Sequence, residues 1–166
     1  MESKKFSILM CVKDGQKYLN EQIESIIRQD FSNWELIIVD DASVDNSFEI
    51  LENYSKLEKR IKLIKNKRNL GILKSYINTA KKQKGEWIVF CDQDDIWFEN
   101  KLSTLNRFIQ NNSNYDLFFH NGIYLVGQNK KKMRGAFGEF IMNKEKVYKT
   151  NPKLNFFYLF LSNKII

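Results

Sequence analysis

The chain has one proline, one histidine and two cysteines in 166 residues, and no run approaching the ~20 apolar residues that a membrane-spanning helix needs. With 14% aromatic and 43% hydrophobic residues, so little proline excludes a disordered chain. Cys11 and Cys91 are too few and too far apart for a metal or disulfide framework. Both fall at predicted strand ends and read as small buried thiols. The only histidine, His120, sits within Phe118-Phe119-His120-Asn121 and reads as a buried, hydrogen-bonded imidazole rather than a ligand. Met1-Glu2-Ser3-Lys4-Lys5 leads into a strand instead of a signal-peptide core, so a cytoplasmic protein is expected.

The net charge of +7 is scattered, with one dense run at Lys130-Lys131-Lys132. No aromatic-interleaved basic motif or zinc spacing accompanies it, so nucleic acid is not an expected partner. These lysines read as solvated surface. The functional alternative is attraction to an anionic nucleotide or to the inner face of a membrane, with peripheral association there.

What is present is an alternation of two periods. Phe6–Val12, Trp34–Val39, Ile61–Ile64 and Trp87–Cys91 read as strands. Between them Leu19, Ile23, Ile26 and Ile27, then Phe48, Leu51, Tyr54 and Leu57, then Leu73, Tyr76, Ile77 and Ala80 recur at helical spacing. Leu102, Leu105, Phe108 and Ile109 mark a fourth helix, and Asn46 with Glu49 has the spacing of a capping box. Asp116–Val126 reads as a long fifth strand, 127–151 as polar loop, and 154–166 as an aromatic-rich helix. Strict β/α alternation at this length predicts one α/β domain, a Rossmann-like, mostly parallel sheet with helices on both faces.

Three of these strands end in polar or acidic groups: Lys13-Asp14-Gly15, Asp40-Asp41 and Asp92-Gln93-Asp94-Asp95. In open α/β sheets ligands bind at that edge. Residues i and i+2 of a strand point the same way, so Asp92 and Asp94 can converge past the end of Trp87–Cys91. Two carboxylates so spaced form a hard oxygen site suited to Mg²⁺ or Mn²⁺ carrying phosphate. An acidic turn capping the next helix is the plainer reading, and the second acidic pair, Asp40-Asp41, weighs against it. Trp97 either walls the pocket or packs the loop.

These segments resemble family-two glycosyltransferases, an inverting group with a nucleotide-binding GT-A fold. The matching stretches are Ile8–Gly15, Tyr18-Leu19, Gln29, Trp34–Ser43, Asp45, Asn69-Leu70-Gly71 and Gly85–Trp97. Asp92-Gln93-Asp94-Asp95-Ile96-Trp97 is most similar to the rhamnosyltransferase-like branch. The resemblance implies a UDP- or dTDP-linked sugar donor and a saccharide or lipid-linked acceptor, in cell-surface polysaccharide synthesis. It implies that Cys11, Val12 and Asp14 line the base pocket, and that Asp41, beside Asp40, bonds the base. Asn69, Gln93 and Asp95 would contribute to the nucleotide-sugar site. Asp92 would lie near ribose and metal, and Asp94 would bind the metal directly. Lys13-Asp14 stands where many relatives have Tyr-Asn, and an arginine that often follows Asn-x-Gly is absent, with Lys74 or Tyr76 nearby.

The general base is not readable from the sequence. Asp116 opens a strand on the wrong edge, and Glu139 and Glu145 fall in unassigned loop. The expectation is a nucleotide-sugar-binding domain over 1–126 and the start of an acceptor-side region over 127–166, as the donor part of a longer enzyme. Two rivals use the same residues. An aspartyl-phosphate phosphatase would take Asp92 as nucleophile, although that signature closes a first strand and Asp95 replaces its usual Thr or Val. An inert nucleotide-binding module would keep the fold and lack the reaction.

Overall fold

A strand with no polar face must be covered on both sides, and two strands here meet that condition. The computed structural model describes residues 6–112, 123–126 and 129–132. Every position of β1 (Phe6–Val12) and β2 (Trp34–Asp40) is buried. They form the centre of a four-stranded parallel sheet, flanked by β3 (Ile61–Lys65) and β4 (Trp87–Cys91), in the order β3-β2-β1-β4. The chain winds outward from β1 through β2 to β3 and then crosses to the far side of β1. That reversal puts a switch point at the carboxyl ends of β1 and β4, where a crevice forms in such sheets.

The helices between strands are α1 (Leu19–Ile27), α2 (Ser47–Leu57), α3 (Ile72–Ala80) and α4 (Lys101–Asn111). α2 packs on β2 and β3 and α3 on β1 and β2, while α1 lies beside α2. α1 buries Leu19, Ile23 and Ile26, as its spacing predicts. α3 follows its apolar stripe at Tyr76 but not at Leu73 or Ile77. Ser75, Tyr76 and Thr79 face inward, whereas Leu73 and Ile77 stay 44% and 38% exposed. Small hydroxyl residues let the helix approach the sheet closely, and Thr79 Oγ1 satisfies itself on the Ser75 carbonyl at 2.7 Å. Leu57 closes α2 at 83% exposure, outside the face its period implied.

Two further expectations are corrected. The Asn46–Glu49 capping box does not form, because Asn46 makes no side-chain cap bond. Asp45 does the work one position earlier, accepting the Ser47 N–H at 2.9 Å. The stretch after Val126 is not all loop: β5 (Ile123–Val126) pairs antiparallel with β6 (Asn129–Lys132) as a separate two-stranded sheet. Residues 116–122 of the expected long strand, His120 and the 154–166 helix lie outside the described residues. The chain divides into Met1–Asn106, which holds the four-stranded sheet, and Arg107–Ile166, which holds the hairpin. Among the described residues no helix is long and apolar enough to cross a membrane.

At the amino end of the sheet, Glu35 joins three strands and a turn. Its carboxylate accepts from Ser7 Oγ and Lys62 Nζ, each at 2.6 Å, and from the Lys84 N–H at 2.6 Å. Gly85 closes this turn against β1, and a Cβ there would lie 2.5 Å from the Ser7 backbone nitrogen. Burial alone would raise the Glu35 pKa. The bonds from Lys62, Ser7 and the Lys84 N–H outweigh it and hold the carboxyl below its usual range. The stabilisation is therefore present above the ordinary glutamate pKa and is lost as pH falls through the lower folded value. Glu35→Ala leaves the Lys84 N–H and Ser7 without an acceptor. It is expected to cost about 2–4 kcal/mol in urea unfolding at pH 7, and a loss under ~0.5 kcal/mol would show that the carboxylate pins nothing.

Candidate functional site

Backbone groups leaving the carboxyl edge of a parallel sheet have no ladder partner and must find one elsewhere. Here they find side chains on the neighbouring loop. After β1, the N–H groups of Asp14, Gly15 and Gln16 donate to Ser43 Oγ, Ser47 Oγ and Asp45 Oδ2 at 3.0, 2.8 and 3.1 Å. In return, Asp14 Oδ1 and Gln16 Oε1 accept the N–H groups of Val44 and Asn46 at 2.8 and 3.0 Å. Lys13 Nζ donates to the Ala42 carbonyl at 2.7 Å. Asp14 and Ala42 both adopt left-handed backbone, with φ of 50° and 60°. For alanine that is an uncommon conformation, and the lacing holds it.

This geometry assigns work to residues expected to touch a nucleotide. The Asp14 carboxylate is committed to Val44 and Lys13, which hold its pKa below the usual carboxylate range. Cys11 and Val12 are buried, and the Val12 carbonyl accepts the Asp41 N–H at 2.8 Å. Burial raises the Cys11 thiol to about 12, with nearby Asp41 adding to it, so it is no nucleophile at neutral pH. Asp41 grips the loop before α3, accepting from Asn66 Nδ2, the Leu70 N–H and the Gly71 N–H at 2.7, 2.9 and 2.9 Å. Its burial pushes the pKa up, and these donors more than reverse that. Exposed Asn69 bonds the Gly71 N–H at 2.8 Å. Asp40 is fully buried. Its Oδ1 has no hydrogen-bond partner among the described residues, which leaves acceptor capacity at the base of this edge.

The acid loop after β4 is fastened at both ends. The Gln93 amide bonds both backbone groups of Lys13: Oε1 accepts the N–H at 2.9 Å, and Nε2 donates to the carbonyl at 3.2 Å. Beyond the acids, the Trp97 N–H donates to Ser25 Oγ at 3.0 Å, and Gln29 receives the Leu102 N–H and donates to the Phe98 carbonyl at 2.9 and 2.7 Å. Between these anchors Asp94, Asp95 and Ile96 form an exposed arc. Burial pushes Asp92 up to about 7, and Asp95 and Asp94 push the same way against the Tyr76 hydroxyl and Lys101. Asp95, open on one side, is also raised by the protein packed behind its carboxyl, against Lys101.

Two contributors escaped the sequence reading. Tyr76, read as a helical apolar residue and noted only as lying near a missing arginine, donates its hydroxyl to the Cys91 carbonyl at 2.7 Å beneath Asp92. Lys101 lays its ammonium 3.7 Å from the Trp97 ring centroid, and burial lowers its pKa to about 8 even though Cys91, Asp95 and Asp92 pull upward. The four-residue separation of Trp97 and Lys101 across the start of α4 was the available signal. Among the described residues no three acidic or other ligating side chains converge as a closed metal cage. An open pair of hard oxygens with surplus negative charge fits Mg²⁺ or Mn²⁺, which is held by one or two carboxylates plus phosphate and water.

Asp92 keeps its proton to about pH 7 when folded, against roughly 4 when unfolded. Its raised pKa favours the fold below roughly pH 4 and ceases to do so as pH climbs to 7. Asp92→Asn removes that dependence. The metal-free variant is expected to melt within a degree of the parent at pH 4 and about 3 °C higher at pH 8 by scanning calorimetry. A lower melting point at pH 8 would mean that Asp92 is a structural anchor.

Comparison with known proteins places the chain in a family. The model of the family described as "Glycosyl transferase family 2" matches residues 7–163. An uncharacterized glycosyltransferase of Haemophilus influenzae is 37% identical over 105 residues, covering 61% of this chain and 32% of its own. Escherichia coli WfgD, named as a UDP-Glc:alpha-D-GlcNAc-diphosphoundecaprenol beta-1,3-glucosyltransferase, is 35% identical over 124 residues, 70% of this chain and 48% of its own. The chain thus spans about a third to a half of these two relatives. The solved structure of S. aureus TarS 1-349 with UDP-GlcNAc superposes with a TM-score of 0.62 at 26% identity, over 87% of this chain and 37% of that one. The parallel sheet, the acid loop at its switch point and the family match agree: the chain belongs to glycosyl transferase family 2.

Proposed function

We propose that this chain carries the donor side of an inverting, metal-dependent glycosyltransferase that moves a sugar from a nucleoside diphosphate to an acceptor hydroxyl in cell-surface polysaccharide synthesis. One observation carries this reading. Acids whose crowding is only partly offset by Lys101 and the Tyr76 hydroxyl lie on a loop that is anchored at both ends beside the base-side turn, at the switch point of the sheet. A diphosphate brings negative charge of its own, so it can approach Asp92, Asp94 and Asp95 only with a cation between. Such a cation, when bound, would neutralise the departing diphosphate as a Lewis acid. Asp94, exposed at the crest of the loop, would hold it directly, with Asp92 beside it.

The chain's own residues do the rest. The laced turn Lys13–Gln16 and the Asp40-Asp41 pair frame the base, with Cys11 and Val12 forming its floor. Asp41 keeps the Asn66–Gly71 loop in place around it, and Asp95 and Asn69 face the sugar side. The acceptor hydroxyl must lose its proton as it attacks the anomeric carbon. The base is assigned to none of the described residues, and Asp116, Glu139 and Glu145 lie outside them. WfgD's name gives a diphosphoundecaprenol-linked acceptor and TarS is solved with UDP-GlcNAc. Those two names support a UDP-linked donor and a lipid-linked acceptor; a dTDP-linked donor, a saccharide acceptor and a place in the cytoplasm at the inner face of the membrane are proposed with them, from the sequence alone. The phosphatase alternative has no observation in its favour: the acid loop follows β4 at the edge of the described sheet, not the first strand.

Titration calorimetry with UDP and Mn²⁺ tests the reading. Binding is expected to be at least ~10-fold weaker in chelator, and Asp94→Ala should show the chelator value even when Mn²⁺ is present. Equal affinity with and without metal would overturn it. The same titration with dTDP asks whether the Asp92–Trp97 string selects the base of the rhamnosyltransferase-like branch, in which case dTDP binds the tighter.

A further inference from the structure

We propose that Gln93 is a positioning residue: its side-chain amide sets the separation of the acid loop from the base-side turn, so that a nucleoside diphosphate is gripped at both ends by one preformed unit. This deepens the donor reading and rests on it. Gln93 lies in the middle of the acid string, where a contact with the donor would be the natural assignment. Its amide instead faces away from that duty. Both of its hydrogen-bonding functions are engaged with the N–H and carbonyl of Lys13, at 2.9 and 3.2 Å. A primary amide laid along one residue's backbone satisfies both its N–H and its carbonyl, the double exchange of an antiparallel pair, just past the point where the parallel β1–β4 ladder has ended at Met10 and Cys91.

Gly15 completes the joint. A Cβ built at Gly15 would stand 2.7 Å from Gln93 Oε1 and 2.8 Å from Cδ, so the bridge exists only because that position lacks a side chain. The backbone there needs no glycine conformation, since its φ is not in the left-handed region. Its N–H bond to Ser47 Oγ would survive substitution by alanine. Lys13 is in turn fixed through Ala42 and Asp14 to the second loop. Displacing one amide therefore frees the acid loop from both base-side loops together. The benefit of the bridge is preorganisation: without it, ordering the loop is charged against each binding event.

Two measurements test this on the full chain. The first is a thermal double-mutant cycle without ligand. Gly15→Ala is expected to lower the melting point by about 4 °C in the parent and about 1 °C in the Gln93→Ala background, because the clash and the bridge are the same event. Equal losses in both backgrounds would overturn the joint. The second compares UDP with inorganic pyrophosphate, each with Mn²⁺. Gln93→Ala is expected to weaken UDP about 10-fold and pyrophosphate less than ~2-fold, since only UDP spans both halves. Equal weakening of the two ligands overturns the positioning role, because a general loss of fold would produce it. If the parent binds neither ligand, the donor reading fails and this proposal fails with it; if the parent binds both, only the positioning role is at stake.

Discussion

The site depends on one requirement: N–H groups that run out of sheet partners at the carboxyl edge need acceptors. This chain meets it by reciprocal bonding between loops. The turn after β1 lends its N–H groups to Ser43, Asp45 and Ser47, and the loop after β2 lends its own to Asp14 and Gln16. Gln93 extends the arrangement to the loop after β4. Loops are ordinarily the soft parts of an α/β domain. Here three of them behave as one rim, and that rigidity holds Asp14 and Ala42 in left-handed backbone.

Electrostatics on the rim follow the opposite logic from those at the other end of the sheet. Glu35 is buried with three donors, and its charge serves stability. Asp92 has burial and two neighbouring carboxylates against it, with only the Tyr76 hydroxyl and Lys101 in opposition. The first is a satisfied group and the second a frustrated one. A charge that costs the fold something, and that a bound cation would relieve, accords with the proposed donor site better than with an architectural role.

Much of this was legible in the sequence. The continuous apolar runs ending in Val12, Val39 and Cys91 gave the parallel sheet, and the acids following them gave the edge. Other parts were hidden for physical reasons. Helical period fixes the repeat of a face but not which face turns inward, so α3 buried Ser75 and Thr79 and left Leu73 outside. A lysine run masked β6, although the glycine-led pair Gly127-Gln128 between two runs is a recognised hairpin signal. Residue type alone could not tell an acid that grips a neighbouring loop, as Asp14 and Asp41 do, from one left exposed at the crest of a loop, as Asp94 is. That distinction lies in who donates to whom. Gln29, met first as one short match among several, proves to clamp the far end of the acid loop through Phe98 and Leu102.

The interlocked rim also constrains how such a domain can diversify. Transplanting residues 13–16 from a relative would replace the Asp14 and Gln16 side chains that accept the Val44 and Asn46 N–H groups, and any side chain brought in at position 15 would displace Gln93. Remodelling this rim therefore requires the three segments to travel as a cassette. Substitutions made one loop at a time would pass through intermediates with orphaned polar groups, so drift at this rim should be correlated while the exposed crest at Asp94–Ile96 varies under chemical demand alone.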